Sequence, residues 1–272
     1  MKRMEEKHFE TTNGQIAYWT CGIAPSGSEP TLVFLPGLTA DHRLFDLQVE
    51  FFSPEFRCFV WDPPAHGESR PYAAVDLEDW TTALHGILQE EGIGRPVLVG
   101  QSMGGYISQM YMELYPFEAA GFVSIDSSPL QRSYYNAAEL WLLRHTRTMY
   151  RMFPWEKLVR KASEGVATTE YGRSLMKEMI ESYLPEEYID LVACGYRAVA
   201  DAISSGRAFG LDCPTLLICG SEDVAGSTRR YNRLWGERTG LGVSWIGGAG
   251  HNSNCDAPDE VNRLIEDFLA SL

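Results

Sequence analysis

Apolar residues along the chain fall into short continuous runs separated by longer stretches with helical spacing. Thr31 to Leu35, Cys58 to Trp61, Pro96 to Val99, Gly121 to Ile125, Thr215 to Cys219 and Val243 to Ile246 are such runs, each bounded by Gly, Pro or polar residues. Uninterrupted apolar runs of this length suit strands buried on both faces of a parallel sheet. Leu77 to Glu91, Gly104 to Tyr115 and Pro258 to Leu272 repeat apolar residues at helical intervals. Strands alternating with helices predict an α/β fold: a mostly parallel, doubly wound sheet with helices on both faces. Ahead of it, the Asn13-Gly14 pair before Gln15 to Cys21 predicts an antiparallel hairpin, because both central residues of a type I′ turn need positive φ. A polar loop, Ala24 to Pro30, follows it.

One interval breaks the alternation. Residues 127–214 contain no convincing strand and read as helices rich in aromatics and Met. This predicts a helical cap over 129–205, inserted into a core built from 1–128 and 206–272. Trp141, Phe153 and Trp155 are candidate walls of a substrate pocket beneath it. Most of the segment's other aromatics need no explanation beyond packing.

Composition narrows the function. A length of 272 residues suits one large domain carrying an insertion, and 44% hydrophobic with 22% charged residues is ordinary for a globular protein. The net charge of -14, with no Lys/Arg run, lacks the footprint of a nucleic-acid binder. The six cysteines form no CxxC pair and read as reduced thiols. Met1 to Glu10 has no apolar signal core, and no stretch approaches the ~18 apolar residues of a membrane span. A cytoplasmic protein without membrane partners is expected, its oligomeric state unread. No P-loop, no G-x-G-x-x-G spacing and no His/Cys cluster with metal spacing occurs, so neither cofactor nor metal is implied.

The chemistry concentrates at Gly100-Gln101-Ser102-Met103-Gly104, a G-x-S-x-G between an apolar run and a helical pattern. That context puts the serine on a sharp strand-to-helix turn. Small residues are required two before and two after it, and Gly100 and Gly104 meet that demand. Ser102 is then presented at the positive end of a helix, ready to act as a nucleophile.

On these residues the chain resembles the α/β-hydrolase superfamily, in particular its cap-bearing esterase, lactonase and haloperoxidase-like group, over nearly its whole length. The resemblance implies an oxyanion hole from the backbone N–H groups of Leu38 and Met103. In the matching stretch Leu35-Pro36-Gly37-Leu38, Pro36 stands where the family usually has His. Asp62-Pro63-Pro64-Ala65-His66-Gly67-Glu68-Ser69 is similar to the family's Asp-x-x-Gly-x-Gly-x-Ser turn, with Pro64-Ala65 in place of the familiar pair before the His. The resemblance makes His66 a brace of that turn and not a catalyst. Ser at 102, where dehalogenase and epoxide hydrolase relatives carry Asp, argues against an alkyl-enzyme.

His251, alone among six histidines, follows a predicted strand near the C-terminus, within Gly248-Ala249-Gly250-His251-Asn252. It is the expected base, and the chain order Ser, acid, His is the one this fold uses. The acid is expected at Asp223, after the Leu216 to Cys219 strand. Asp126, at the end of the strand following the nucleophile helix, is the rival. The expected function is hydrolysis of a small or medium carboxylic ester, thioester or lactone through an acyl-enzyme, on a small-molecule substrate with an apolar group. A carbon-carbon bond hydrolase, an acyltransferase, a cofactor-free perhydrolase or a low-turnover ligand-binding receptor would carry the same residues.

Overall fold

A computed structural model describes residues 4–23, 30–73 and 76–272. Its strands, in chain order, are β1 (Glu5–Thr11), β2 (Gly14–Cys21), β3 (Thr31–Leu35), β4 (Cys58–Trp61), β5 (Pro96–Gln101), β6 (Gly121–Ile125), β7 (Thr215–Gly220) and β8 (Val243–Ile246). They form one sheet in the order β1-β2-β4-β3-β5-β6-β7-β8. β1 pairs antiparallel with β2, and β2 antiparallel with β4. Every pairing from β4 to β8 is parallel. β3, β4, β5 and β6 are buried along their whole length. The interior strands therefore read in sequence as unbroken apolar runs.

The hairpin forms, but its turn differs from the sequence expectation. Thr11 pairs with Gly14, so Thr12 and Asn13 are the loop residues and neither has positive φ. Gly14, at φ +150, instead occupies the tight place, where a Cβ would come 2.7 Å from the Pro71 carbonyl oxygen. The expected polar loop at 24–30 lies, but for Pro30, outside the described residues.

The helices are α1 (Asp46–Phe52), α2 (Leu77–Glu90), α3 (Met103–Leu114), α4 (Ala137–Arg144), α5 (Thr146–Tyr150), α6 (Trp155–Val166), α7 (Glu170–Glu181), α8 (Pro185–Ser204), α9 (Thr228–Thr239), α10 (Ser253–Asp256) and α11 (Pro258–Ala270). Their starts follow local chemistry. Asp76 caps α2 by accepting from the Asp79 N–H, Asn136 and Glu139 form a capping box on α4, and Pro185 opens α8. Two apolar layers clothe the sheet. Val33, Leu35 and Leu98 pack with Trp80, Leu84, Ile107 and Tyr111 on one face, while Phe34, Val97 and Val99 pack with Phe45, Val261 and Ile265 on the other.

The segment between β6 and β7 contributes α4 to α8 and no strand. The chain leaves the centre of the sheet in opposite directions from β3 and β5. In an open α/β sheet that reversal leaves a crevice at the carboxyl ends of the two strands, where ligands bind.

Candidate active site

Ser102 alone joins β5 to α3, at φ 49 and ψ -111. Such a backbone costs an L-residue about 1–3 kcal/mol, so its surroundings must hold it. Its N–H donates to the Ile125 carbonyl at 2.9 Å, and its carbonyl accepts from the Gly105 N–H at 3.0 Å and the Ser127 hydroxyl at 2.7 Å. A Cβ on Gly104 would fall 1.8 Å from the Leu35 carbonyl oxygen, and one on Gly100 2.4 Å from that of Gly104. Strand and helix touch backbone to backbone, which is why this turn needs its glycines.

His251 follows β8 and points back across the carboxyl edge of the sheet. Its Nε2 lies 2.8 Å from Ser102 Oγ and its Nδ1 2.8 Å from Asp223 Oδ2. Asp223, after β7, is buried, and its other oxygen accepts the Ala225 N–H at 2.8 Å. With Nδ1–H donated to the carboxylate, Nε2 is left as the acceptor facing the serine hydroxyl. Burial alone would lower the His251 pKa. The Asp223 carboxylate, by charge and hydrogen bond, and then Asp126 outweigh it and hold the imidazole above its ordinary value.

Two residues that the sequence reading missed fix the histidine loop. The Gln101 amide donates to the His251 carbonyl at 2.8 Å. Asp256 accepts from the Gly250 N–H at 2.8 Å and from the Thr168 and Thr169 N–H groups, tying the loop to the segment before α7. A polar Gln closing an otherwise apolar strand run was the available signal for the first. Nothing local marked the second.

Asp126 is also buried at this edge, at φ 48. Its Oδ1 accepts the Gly220 N–H at 2.7 Å, and its Oδ2 accepts the Ser253 N–H at 2.9 Å and the Ser253 hydroxyl at 2.6 Å. Burial, then the neighbouring Asp223 charge, push its carboxyl above the usual range. The imidazole of His251 pairs with Asp223 and not with Asp126.

The loop after β3 completes the edge. Met103 is the first residue of α3, and such an N–H has no intrahelical acceptor. Among the described residues, neither it nor the Leu38 N–H donates to a protein group. The turn closes through the Ala40 N–H on the Gly37 carbonyl at 3.1 Å. His42 pins the loop from behind, both its backbone N–H and its Nδ1 meeting Asp62 Oδ1, at 2.7 and 2.8 Å.

Residues 32–264 match the model of the alpha/beta hydrolase family. The chain belongs to that family. It is 24% identical to 3-oxoadipate enol-lactonase 1 of Acinetobacter baylyi over 99% of this chain and 100% of that one. It is 27% identical to the 2-(acetamidomethylene)succinate hydrolase of Mesorhizobium japonicum, over 45% of this chain and 44% of that one. The solved structure of a thermophilic esterase from Thermogutta terrifontis superposes with a TM-score of 0.77 at 22% identity, covering 99% of this chain and 98% of that one.

In this α/β-hydrolase, His66 is fully buried, its Nδ1 3.0 Å from the Pro64 carbonyl and its ring against the edge of Trp80. Burial lowers its pKa to about 4, so it is neutral at pH 7. Ala65 keeps the left-handed backbone at φ 68 without being Gly. The three aromatics of the expected pocket separate. Trp141 is 59% exposed and stacks on His145, and Phe153 is 40% exposed beneath the Lys157 ammonium. Trp155 is half-buried and meets Tyr188 edge-on at 5.4 Å. Among the described residues, two side-chain groups have donor atoms close enough for a metal, Asp41-His42-Asp62 and Asp126-Cys219-Asp223. Asp41 accepts from the Arg43 N–H and guanidinium, the Asp62, Asp126 and Asp223 carboxylates are engaged by the contacts above, and burial pushes the Cys219 thiol up, away from a ligating thiolate. Among the described residues no helix is long and apolar enough to cross a membrane.

Proposed function

We propose that the chain hydrolyses a small or medium carboxylic ester, thioester or lactone through an acyl-enzyme on Ser102. The observation that carries this reading is the unbroken line from Asp223 Oδ2 through His251 to Ser102 Oγ, with 2.8 Å at both contacts. His251 Nε2 takes the hydroxyl proton as Oγ bonds to the substrate carbonyl carbon, and the carbonyl π electrons move to oxygen. The vacant N–H groups of Leu38 and Met103 receive that oxyanion; one such donor is worth about 10²- to 10³-fold in rate. Collapse expels the alcohol, which leaves with the proton now on His251. Water, deprotonated by the same Nε2, then attacks the acyl-enzyme and frees the acid and Ser102.

The insertion, cap domain residues 129–205, forms the roof of the site, since Gly195 of α8 sits where a Cβ would meet Leu38 Cδ1 at 2.6 Å and Met103 Cε at 3.3 Å. The enol-lactonase and esterase names of the relatives agree with acyl chemistry. Labelling tests the assignment: a fluorophosphonate should add one equivalent at Ser102, and Ser102→Ala should abolish both labelling and turnover of p-nitrophenyl esters. An adduct on any other residue of the folded protein, or undiminished turnover by Ser102→Ala, overturns it.

A further inference from the structure

At the amino end of the parallel strands, away from Ser102, two of the six cysteines face each other. β2 ends at Cys21 and β4 begins at Cys58, and their antiparallel register sets one directly opposite the other. Directly opposed residues of an antiparallel pair point to the same face of the sheet, with Cα atoms ~4.5–5.5 Å apart. Both side chains belong to the apolar layer that contains Trp19 and Val60, the opposed pair next along the same face. Beside the cysteines the two backbones touch, since a Cβ on Gly22 would fall 2.0 Å from the Phe56 carbonyl oxygen. Register and packing thus hold two thiols at the separation that a disulfide spans, ~4.4–6.8 Å between Cα atoms.

The two thiols differ in what can reach them. Cys21 is partly exposed, whereas Cys58 is 1% exposed, with its Sγ 3.7 Å from the Phe56 carbonyl oxygen. A reagent from solvent meets Cys21 first, and Cys58 meets only its neighbours. The Cys58 thiol also holds the Cys21 pKa below the ordinary thiol value, against the opposing effect of burial, and so favours the thiolate that oxidants attack. Of the other four cysteines only Cys219 lies in a strand, and it stands opposite Trp245. Cys213 meets the thioether of Met112, and Cys255 the Leu44 carbonyl.

We propose that Cys21 and Cys58 are a site of reversible oxidation by hydroperoxides, Cys21 being the thiol attacked and Cys58 the one that closes a cross-strand disulfide on it. The Cys21 thiolate takes one oxygen of hydrogen peroxide as the O–O bond breaks, and the departing hydroxide picks up a proton to leave as water. Cys21 is then a sulfenic acid. The Cys58 sulfur next bonds to the Cys21 sulfur, the S–O bond breaks, and the hydroxide leaves with the Cys58 proton as a second water. Together the two sulfurs give up two electrons, which reduce the peroxide. The bridge fastens the antiparallel hairpin to the parallel strands and shelters Cys21 from further, irreversible oxidation. Ser102, His251 and Asp223 stand at the opposite, carboxyl edge of the sheet, so it touches no contact among them.

The test exposes the folded wild-type chain to hydrogen peroxide, alkylates the remaining thiols after unfolding, and maps the peptides by mass spectrometry without reduction. The expected product is a Cys21 peptide joined to a Cys58 peptide, lighter than their sum by two hydrogens, with the other four cysteines alkylated. Dithiothreitol given before alkylation should return both thiols. Two variants separate the roles. In Cys58→Ser, Cys21 should accumulate as a sulfenic acid that dimedone traps, and longer exposure should carry it to a sulfinic acid that dithiothreitol does not reverse. In Cys21→Ser, Cys58 should stay reduced at the same peroxide dose. Cys21 and Cys58 both remaining alkylatable while other cysteines oxidise, or a bridge between any other pair, overturns the proposal. Dimedone capture at Cys58 in Cys21→Ser, at the rate seen for Cys21 in Cys58→Ser, overturns the assignment of the attacked thiol.

Discussion

The two carboxylates behind His251 should respond in opposite ways to the same change, Asp to Asn. At 223 the partners dictate how an amide would sit. Oδ1 accepts the Ala225 N–H at 2.8 Å, so the amide oxygen stays there and the NH₂ turns toward His251 Nδ1. Nδ1 must then accept, which moves the ring proton to Nε2, pointing at Ser102 Oγ with nothing left to take its hydrogen. A wrong tautomer of this kind costs on the order of 10⁴-fold in kcat, about 5.5 kcal/mol of barrier. The fold should hardly notice, since shape and one hydrogen bond persist. At 126 the oxygens accept from Gly220 N–H on one side and from Ser253 N–H and hydroxyl on the other. Either amide orientation sets an NH₂ against a buried N–H, and an orphaned buried donor costs about 1–3 kcal/mol. At about 2–4 °C per kcal/mol, Asp126→Asn should lower Tm by several degrees, with a kcat loss far smaller than that of Asp223→Asn. Steady-state hydrolysis of an activated ester, scaled to fluorophosphonate-titrated sites, and thermal melts measure both quantities. If Asp126→Asn is the inactive protein and Asp223→Asn the active one, the acid is Asp126 and the tautomer argument fails.

Three other perturbations follow from the same geometry. Because His251 must be neutral to accept the serine proton and its pKa is raised, kcat/KM should fall about tenfold per pH unit below an inflection lying above the ordinary ~6.5; Asp223→Asn should move that inflection down, and a profile flat from pH 5 to 9 would contradict the assignment. Trp155→Ala should change selectivity between short and long acyl chains by about 1–3 kcal/mol, because Trp155 packs edge-on to Tyr188 beside the site, whereas exposed Trp141→Ala should leave selectivity unchanged; competition between two ester lengths reads the difference. Gly104→Ala would drive a Cβ to 1.8 Å from the Leu35 carbonyl oxygen, so it should destabilise the fold by about 3 kcal/mol or more and abolish labelling, as melts and fluorophosphonate uptake would reveal.

What was legible in the sequence follows from what determines each feature. β3 to β6 are buried on both faces, so their residues had to be apolar throughout and the runs could be read without knowing any partner. Ser102 was legible because its strain demands glycines at fixed local offsets, and that demand is written within a few residues. The hairpin turn was misplaced by one residue because Gly14 is needed for the approach of Pro71, a contact made across the fold and not within the turn. Asp126 and Asp223 looked alike for a similar reason, since each ends a parallel strand at the same edge. They differ in what stands opposite: Ser253 and Gly220 for one, His251 for the other. The expected pocket aromatics were drawn from a helical segment whose outward side also carries large apolar side chains, so burial could not be assigned by residue type: Trp141 on α4 and Phe153 in the turn between α5 and α6 are both exposed. Local strain and two-sided burial leave marks at short range, whereas the contacts that hold the His251 loop, Asp256 on Gly250 and on Thr168 among them, are assembled by packing between distant segments, which places them beyond pattern reading.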